Sequence, residues 1–255
     1  MKRSLLVMIL VTGLVCSQNA FAVGFELALG AWKQDLSGTM AYKGLNVNDD
    51  IDIDRDLKYD DETRVYGRLK LDMPLFIPNI YLMAAPAEFD GMGKKDVNFK
   101  FGDKVFTANV DFYSKVKLGH YDIGFYYGLP FIKTLTADMF SIELGLNARI
   151  LDLEVEVRQD STGINEKESA TVGIPMIYAA FCFQPVERFA IEGEGRGISY
   201  SGNNVYSLIG RVKVKVFGPV FAAASYRYEK IEVDEDDVDL DIEFAGPMLE
   251  LGLKF

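Results

Sequence analysis

The chain has 255 residues, 49% of them hydrophobic and 25% charged, with a mean hydropathy of +0.06, figures that suit an ordinary soluble domain. Its formal charge of −11 and pI near 4.7 exclude the electrostatic footprint of a nucleic-acid binder, which needs Lys and Arg to displace counterions from phosphates. Two cysteines cannot build a disulfide scaffold or a cysteine zinc site, and outside the first two dozen residues no apolar run approaches the ~18 residues of a membrane-spanning helix.

In chain order, Met1, Lys2 and Arg3 precede an apolar stretch from Leu5 to Val15, and Gln18 and Asn19 then lead into Ala20-Phe21-Ala22. This is the three-part plan of a secretory signal peptide, with cleavage expected after Ala22. An N-terminal amphipathic or transmembrane helix fits less well, because the apolar stretch is too short and polar residues follow it. Val15 is too large for lipoprotein processing at Cys16. Cleavage removes Lys2 and Arg3 and no acid, so the formal charge moves from −11 to −13 over residues 23–255 and Cys182 is the remaining thiol.

From there the chain alternates with period two. Residues 140–150 place apolar side chains at even positions and Ser141, Glu143, Gly145, Asn147 and Arg149 between them, the pattern of a strand with one apolar and one polar face. The same reading predicts ten strands, at 24–34, 62–73, 79–89, 110–128, 139–157, 169–183, 187–200, 204–217, 219–233 and 239–255. Several exceed the usual length of ~5–6 residues and reach the ~9–11 needed to cross a bilayer at a tilt. Tight connections, often carrying proline (74–78, around Pro130, 184–186, 217–219), alternate with longer polar ones (35–61, 90–109, 158–168, 201–203, 234–238). That wiring predicts an all-β fold, a transmembrane up-and-down antiparallel β-barrel of about 10 strands, with 8 or 12 following if the long strands divide differently.

The chain closes on Met248-Leu-Glu-Leu-Gly-Leu253-Lys-Phe255, an alternating strand with a terminal aromatic. Together with Pro74–Ile80, Tyr121–Tyr127 and Glu143–Arg149, it resembles an uncharacterised family of Gram-negative outer-membrane β-barrel proteins. The resemblance implies location and architecture, with Leu253 and Phe255 as the assembly signal read by the barrel-assembly machinery. Where that family usually carries glycine five residues before the end this chain has Glu250, with Gly252 nearby.

With the apolar face toward lipid, the inward set is Glu26, Arg64, Arg68, Lys70, Asp72, Asp122, Glu143, Arg149, Arg188, Glu192, Glu194, Arg196, Arg211, Lys213, Lys215, Arg227 and Glu229. Both signs occur in similar numbers, and unpaired charges in a narrow space are expensive, so a filled, ion-paired lumen is expected. Phe76, Tyr81, Phe112, Tyr113, Phe125, Tyr127, Phe140, Phe183, Phe217, Phe221, Tyr226, Tyr228 and Phe255 fall near strand ends, as interfacial girdles do. The apolar parity slips at Ile150-Leu151 and around Ala245-Gly246-Pro247, which reads as two β-bulges.

Motifs with chemistry are few. The run from Asn48 to Asp56 alternates carboxylates at Asp50, Asp52, Asp54 and Asp56, which in an extended segment could hold Ca²⁺ or Mg²⁺, although Arg55 stands where an EF-hand loop needs glycine. A solvated acidic loop is the simpler reading, for this run and for Asp234–Asp237 with Asp239, Asp241 and Glu243. Both clusters are expected at the outer end, where divalent cations could bridge them to lipopolysaccharide. His120 beside Asp122 could suggest a protease pair but has no motif around it, and no Gly-x-Ser-x-Gly elbow is present. Gly193-Glu-Gly-Arg-Gly197 lacks the following helix of a phosphate loop and reads as a strand. The expected role is structural or surface-interactive, without cofactor or catalytic residue. A narrow, porin-like channel for small solutes or ions is the alternative, with an embedded hydrolase or a soluble periplasmic barrel behind it.

Overall fold

The computed structural model describes residues 23–255 apart from Leu75 and Asp236, and the expected signal peptide lies outside the described residues. The strands are β1 (Gly24–Tyr42), β2 (Ile51–Asp52), β3 (Glu62–Asp72), β4 (Asn79–Ala85), β5 (Glu88–Gly93), β6 (Phe99–Phe101), β7 (Lys104–Phe106), β8 (Phe112–Gly128), β9 (Phe140–Gln159), β10 (Ile164–Val186), β11 (Phe189–Tyr200), β12 (Asn203–Phe217), β13 (Val220–Glu235) and β14 (Val238–Lys254). Among the described residues one α-helix, α1 (Pro130–Leu135), sits in a connection.

Each wall strand pairs antiparallel with its neighbours, and β14 returns to β1 in a register running from Glu26–Lys254 to Tyr42–Val238. With β4 and β5 forming one stave, since both pair with β8, the wall is a closed barrel of ten antiparallel strands. Closure abolishes sheet edges wherever the strands are paired.

The outer surface divides into two zones. Toward the end that carries the short turns, Leu27, Leu29, Leu69, Leu144, Leu146, Val212, Val214, Leu249 and Leu251 point outward in a continuous apolar belt, with Leu29, Leu146 and Leu251 62%, 69% and 67% exposed. Above the belt the outward positions become Lys33, Asp35, Lys115, Lys117, Asp152, Glu154, Lys230, Asp241 and Glu243. An exposed belt this large has no soluble counterpart among monomers and matches the lipid-facing band of a transmembrane barrel.

This division corrects the two expected bulges. The register of β9 with β8 and β10 runs unbroken through Ile150-Leu151, and that of β14 with β13 runs unbroken through Ala245-Gly246-Pro247, while the β14–β1 ladder is interrupted at Gly246-Pro247 and resumes in the same register, so no extra residue is inserted. What changes is the polarity of the faces. Below, Leu146 faces out and Arg149 in; above, Leu151, Leu153, Val155 and Val157 face in while Asp152, Glu154 and Glu156 face out. Each strand crosses from lipid into water, and the apolar side must then turn to the interior. Gly246 serves a different need, since a Cβ there would overlap the carbonyl of Lys33 on β1. The register shifts that do occur lie at Phe183/Val186 and Lys215/Phe217, beside the short turns.

Two segments expected to be polar loops contribute to the interior. Residues 47–57 form a 3-10 turn, the short β2 and a π-helical turn whose Ile51, Ile53 and Leu57 are fully buried, and β6 and β7 form a hairpin that buries Phe99, Phe101 and Phe106. They pack with Trp32, Leu36, Phe89, Phe112, Ile242 and Phe244 into one apolar cluster that caps the barrel above the belt. Phe99 stacks on Phe106 at 5.1 Å and Trp32 on Phe244 at 5.4 Å. Of the aromatics expected at the interfaces, Phe125, Tyr127, Phe183, Phe217, Tyr226 and Phe255 are exposed, whereas Tyr81, Phe112 and Phe221 face inward and are buried.

A candidate functional site in the lumen

Below the cap the barrel is filled by ion pairs. Alternation delivers them: on β8, β9, β11, β12 and β13 the inward parity inside the belt carries Asp122, Arg149, Glu194, Arg196, Arg211, Arg227 and Glu229, all buried. At the centre, Arg149 grips Asp122 in a two-pronged pair (Nε–Oδ1 and Nη2–Oδ2, each 2.9 Å) and reaches Glu229 with Nη1 at 2.6 Å. Arg227 pairs with Glu229 and lies 4.6 Å above the Trp32 ring, so a cation–π contact joins the network to the cap. Arg196 pairs with Glu194 and with Asp122 at 3.4 Å, and stacks at 4.5 Å over Tyr81.

Toward the short turns, Arg211 contacts Glu192 at 3.1 Å and Glu250 at 3.0 Å, while Arg68 holds Glu250 at 2.9 Å and Glu26 at 2.7 Å. Lys213 contacts Glu26 at 3.0 Å and also Glu192. Lys70 and Glu143 form a separate pair at 2.8 Å, joined by the Tyr178 hydroxyl, which donates to Glu143 at 2.9 Å. Each buried guanidinium therefore meets at least one carboxylate, the condition under which charges persist inside a barrel.

Not every expected member joins. Arg64 donates to the Glu88 carbonyl at 2.7 Å and lies 3.5 Å from Glu62, away from the network. Lys215 pairs with Glu187 at an exposed turn, and Arg188 has no carboxylate partner among the described residues. Glu250 is the member that the alternation analysis overlooked: it receives Tyr66, Arg68 and Arg211. Its signal was present, since Leu249 and Leu251 on either side both face lipid.

His120 is buried in the network. Its Nδ1 lies 3.3 Å from the Leu118 carbonyl and its Nε2 2.7 Å from Nη2 of Arg227, contacts that suit a neutral imidazole donating at Nδ1 and accepting at Nε2. With Nε2 occupied by a guanidinium, the ring has no free nitrogen for a substrate proton. Gly193–Gly197 lies in β11, where a Cβ at Gly193 would overlap the Phe181 ring of β10.

Asp50, Asp52, Asp54 and Asp56, weighed as cation ligands, lie on the segment that carries β2 and the π-helical turn. No group of three or more His, Cys, Asp or Glu among the described residues is placed to hold a metal ion. The segment coils, and where Asp50, Asp52 and Asp56 line one cavity, Arg55, Lys58, Lys94 and Lys95 line it with them. Asp52 accepts from the Arg55 amide at 2.8 Å as a cap, and Asp56 is buried against Arg55 at 2.9 Å and Lys95 at 3.5 Å. Burial raises the Asp56 carboxyl, but Arg55, the Asp52 amide and Lys95 outweigh it and hold it below the usual range. Burial likewise raises Asp49, and the amides of Leu45, Lys100 and Asn46 reverse that. In the other acidic cluster Asp239 is raised, by burial and by Asp50, Asp234 and Asp241.

A cavity of about 280 Å³, lined by Lys70, Glu143, Cys182, Glu192 and Lys254 among others, opens at the end that carries the short turns. The lumen is thus capped by apolar loops and crossed by ion pairs, with this cavity beneath them.

No family model and no curated protein matches the chain by sequence. Among solved structures, the outer membrane protease OmpT from Escherichia coli is similar over 94% of this chain and 99% of its own, with a TM-score of 0.54 at 8% identity. The chain has the fold of an outer-membrane β-barrel. The translocator domain of the autotransporter NalP from Neisseria meningitidis is also matched, over 100% of this chain and 95% of its own, at a TM-score of 0.45 and 10% identity. Ail, the attachment invasion locus protein of Yersinia pestis, is matched over 91% of this chain and 99% of its own, at 0.33 and 14%.

Proposed function

We propose that this protein resides in the outer membrane of a Gram-negative bacterium, as a member of the family its strand ends resemble, and serves there as a closed barrel with a structural or surface-interaction role. The observation that carries this reading is the double seal. An apolar cap and a charge-balanced network stand in series, so a solute entering from outside would have to displace both. In this reading the signal peptide is cleaved after Ala22, and Leu253 and Phe255 present the last strand to the barrel-assembly machinery. The apolar belt contacts lipid, and the acidic rim, including Asp234 and Asp239, attracts divalent cations diffusely beside lipopolysaccharide phosphates. The protein is non-enzymatic here, consistent with the engaged ring of His120.

Planar-bilayer recording is the test. The closed barrel gives no reproducible stepwise current, and regular steps would overturn it. The cavity under the network favours, as a second reading, a narrow passage for small solutes or ions, and such steps are what that reading expects. Slower migration of heated than of unheated protein on a detergent gel would support membrane residence, and extraction without detergent would refute it.

A further inference from the structure

The connections at the lower end of the barrel are of two kinds. Glu187-Arg188 and Gly218-Pro219 are two-residue turns, whereas the link from β8 to β9 runs over eleven residues, 129–139, and carries α1. Hydrogen bonds fix that link. The Leu129 amide donates to the Ile142 carbonyl at 2.8 Å, and the Thr136 hydroxyl donates to the Ile132 carbonyl at 2.8 Å while accepting from the Phe140 amide at 3.1 Å.

Helix periodicity sorts the faces of α1. Phe131 and Leu135 are four residues apart and share one side, about 40° from each other, while Lys133 lies about 160–200° away from them. Lys133 lines the cavity at the lower mouth, together with Asp138 from the same link. Phe131 and Leu135 therefore turn away from the mouth, and they are 79% and 84% exposed. In the 73–78 turn Phe76 is 89% exposed, and Tyr127 at the end of β8 donates its hydroxyl to the Phe76 carbonyl at 2.9 Å. These apolar side chains lie along one sector of the rim, at the lower ends of β4, β8 and β9.

The height of the wall decides what covers this sector. On β9 the outward residues Phe140, Ile142, Leu144, Leu146, Ala148 and Ile150 are apolar, and Asp152 is the first outward charge. Phe140 to Ile150 is ten residue steps, about 33 Å of strand and about 25 Å of height at a tilt of ~40°, the full apolar band of an outer-membrane barrel. With the belt in lipid, the hydrocarbon ends at the level of Phe140, and α1 falls among the headgroups of the lower leaflet. The chain carries no charge between Tyr127 and Phe131, so the exposed face of α1 continues the belt.

We infer that α1 is an interfacial lipid anchor. Its Phe131–Leu135 face, with Phe76 beside β8, inserts among the headgroups and first acyl carbons of the lower leaflet, while Lys133 borders the aqueous mouth. The inference rests on the membrane residence proposed above and adds a second contact to the belt, made by a turn outside the wall.

The test places one tryptophan at a time, by Phe131→Trp, Leu135→Trp, Lys133→Trp or Leu146→Trp, in the full chain refolded into phosphatidylcholine vesicles. Trp32 is fully buried inside the barrel, and the unaltered protein supplies its baseline. The quenchers are phosphatidylcholine brominated near the carbonyl end or near the methyl end of its chains, and iodide on both sides of the membrane. At ~5–10 Å of insertion, Phe131→Trp and Leu135→Trp should lose about half of their emission to the shallow bromines and be shielded from iodide. Lys133→Trp carries the same indole on the other face, which matches its affinity for interfaces, and should show the reverse. Leu146→Trp, in the middle of the belt, should respond to the deep bromines. Iodide quenching of Phe131→Trp equal to that of Lys133→Trp overturns the anchor, as does shielding from iodide without bromine quenching, the signature of a protein contact. Either result with Leu146→Trp quenched by lipid removes the anchor alone, whereas Leu146→Trp untouched by both brominated lipids removes the membrane reading as well.

Discussion

Glu250→Ala isolates what the lumen network contributes to stability. The Glu250 carboxylate accepts from Tyr66 at 2.8 Å, from Arg68 Nε and Nη2 at 3.0 and 2.9 Å, and from Arg211 Nε at 3.0 Å. It thereby ties β14 to β3 and β12 across the lumen. Truncation leaves Arg68 with Glu26, and Arg211 with Glu192 and a longer contact to Glu194 at 3.8 Å, so neither cation is orphaned but both are under-compensated. Removing one partner of a buried pair costs about 3–5 kcal/mol, and the surviving partners put this case near the lower end, ~3 kcal/mol. That is about a hundredfold in the folded-to-unfolded ratio. The assay is urea unfolding in lipid vesicles, followed by Trp32 fluorescence, for Glu250→Ala, Arg68→Met and the double variant. Non-additivity of at least ~1 kcal/mol is expected in that cycle. A loss under ~1 kcal/mol for Glu250→Ala, or full additivity, would refute the claim that the network supports the barrel. Glu250→Gly adds a second reading, because it restores the glycine that the C-terminal resemblance expects. Assembly yield should then hold or rise while equilibrium stability falls.

The remaining predictions concern the faces, the cap and pH. Leu146→Arg, in the lipid-facing belt, should cost about 2–4 kcal/mol in vesicle unfolding, whereas the outward Glu156→Leu above the belt should change stability by less than ~1 kcal/mol. Phe99→Ala, deep in the cap, should cost ~3–5 kcal/mol of local stability, read as faster hydrogen exchange in residues 47–57 and 99–106. It should still give no steady conductance, because the ion pairs below are untouched. Asp49 and Asp56 have folded pKa values below their unfolded ones, so their stabilisation of the cap is complete above the ordinary Asp range near 3.8 and is lost as pH falls through the lowered values. Protease access to residues 45–58 should therefore rise with acidification, and the double change of both to Asn should flatten that dependence.

The alternation of apolar and polar residues made the strand count, the closed topology and most of the lumen charges legible, because a period of two depends only on neighbouring residues. Arg149 and Glu229 could be assigned to the inside from parity alone; their mutual contact at 2.6 Å could not, since it joins strands eighty residues apart. Strand ends were less legible. β1 runs to Tyr42 and β10 begins at Ile164, beyond the segments expected, because polar outward residues there resemble a loop when only the lipid-facing pattern is sought. The cap was missed for the same reason. In the run Asp50-Ile-Asp-Ile-Asp the carboxylates drew attention, while the buried Ile51 and Ile53 carry the structural information.

Reversal of face polarity explains the two misread slips and the cap together. A strand longer than the bilayer is thick must satisfy two solvents, so its apolar side faces out while lipid surrounds it and in once water does. Leu146 and Leu151 lie on one unbroken strand and obey opposite rules. Above the belt an inward apolar wall is stable only if something apolar fills it, and the 47–57 and 99–106 segments supply that filling. The charged lumen below then lies away from the outer solvent. The three storeys follow from strand length: apolar cap where the wall meets water, ion pairs where lipid turns apolar residues outward, and a cavity beneath them at the mouth that carries the short turns.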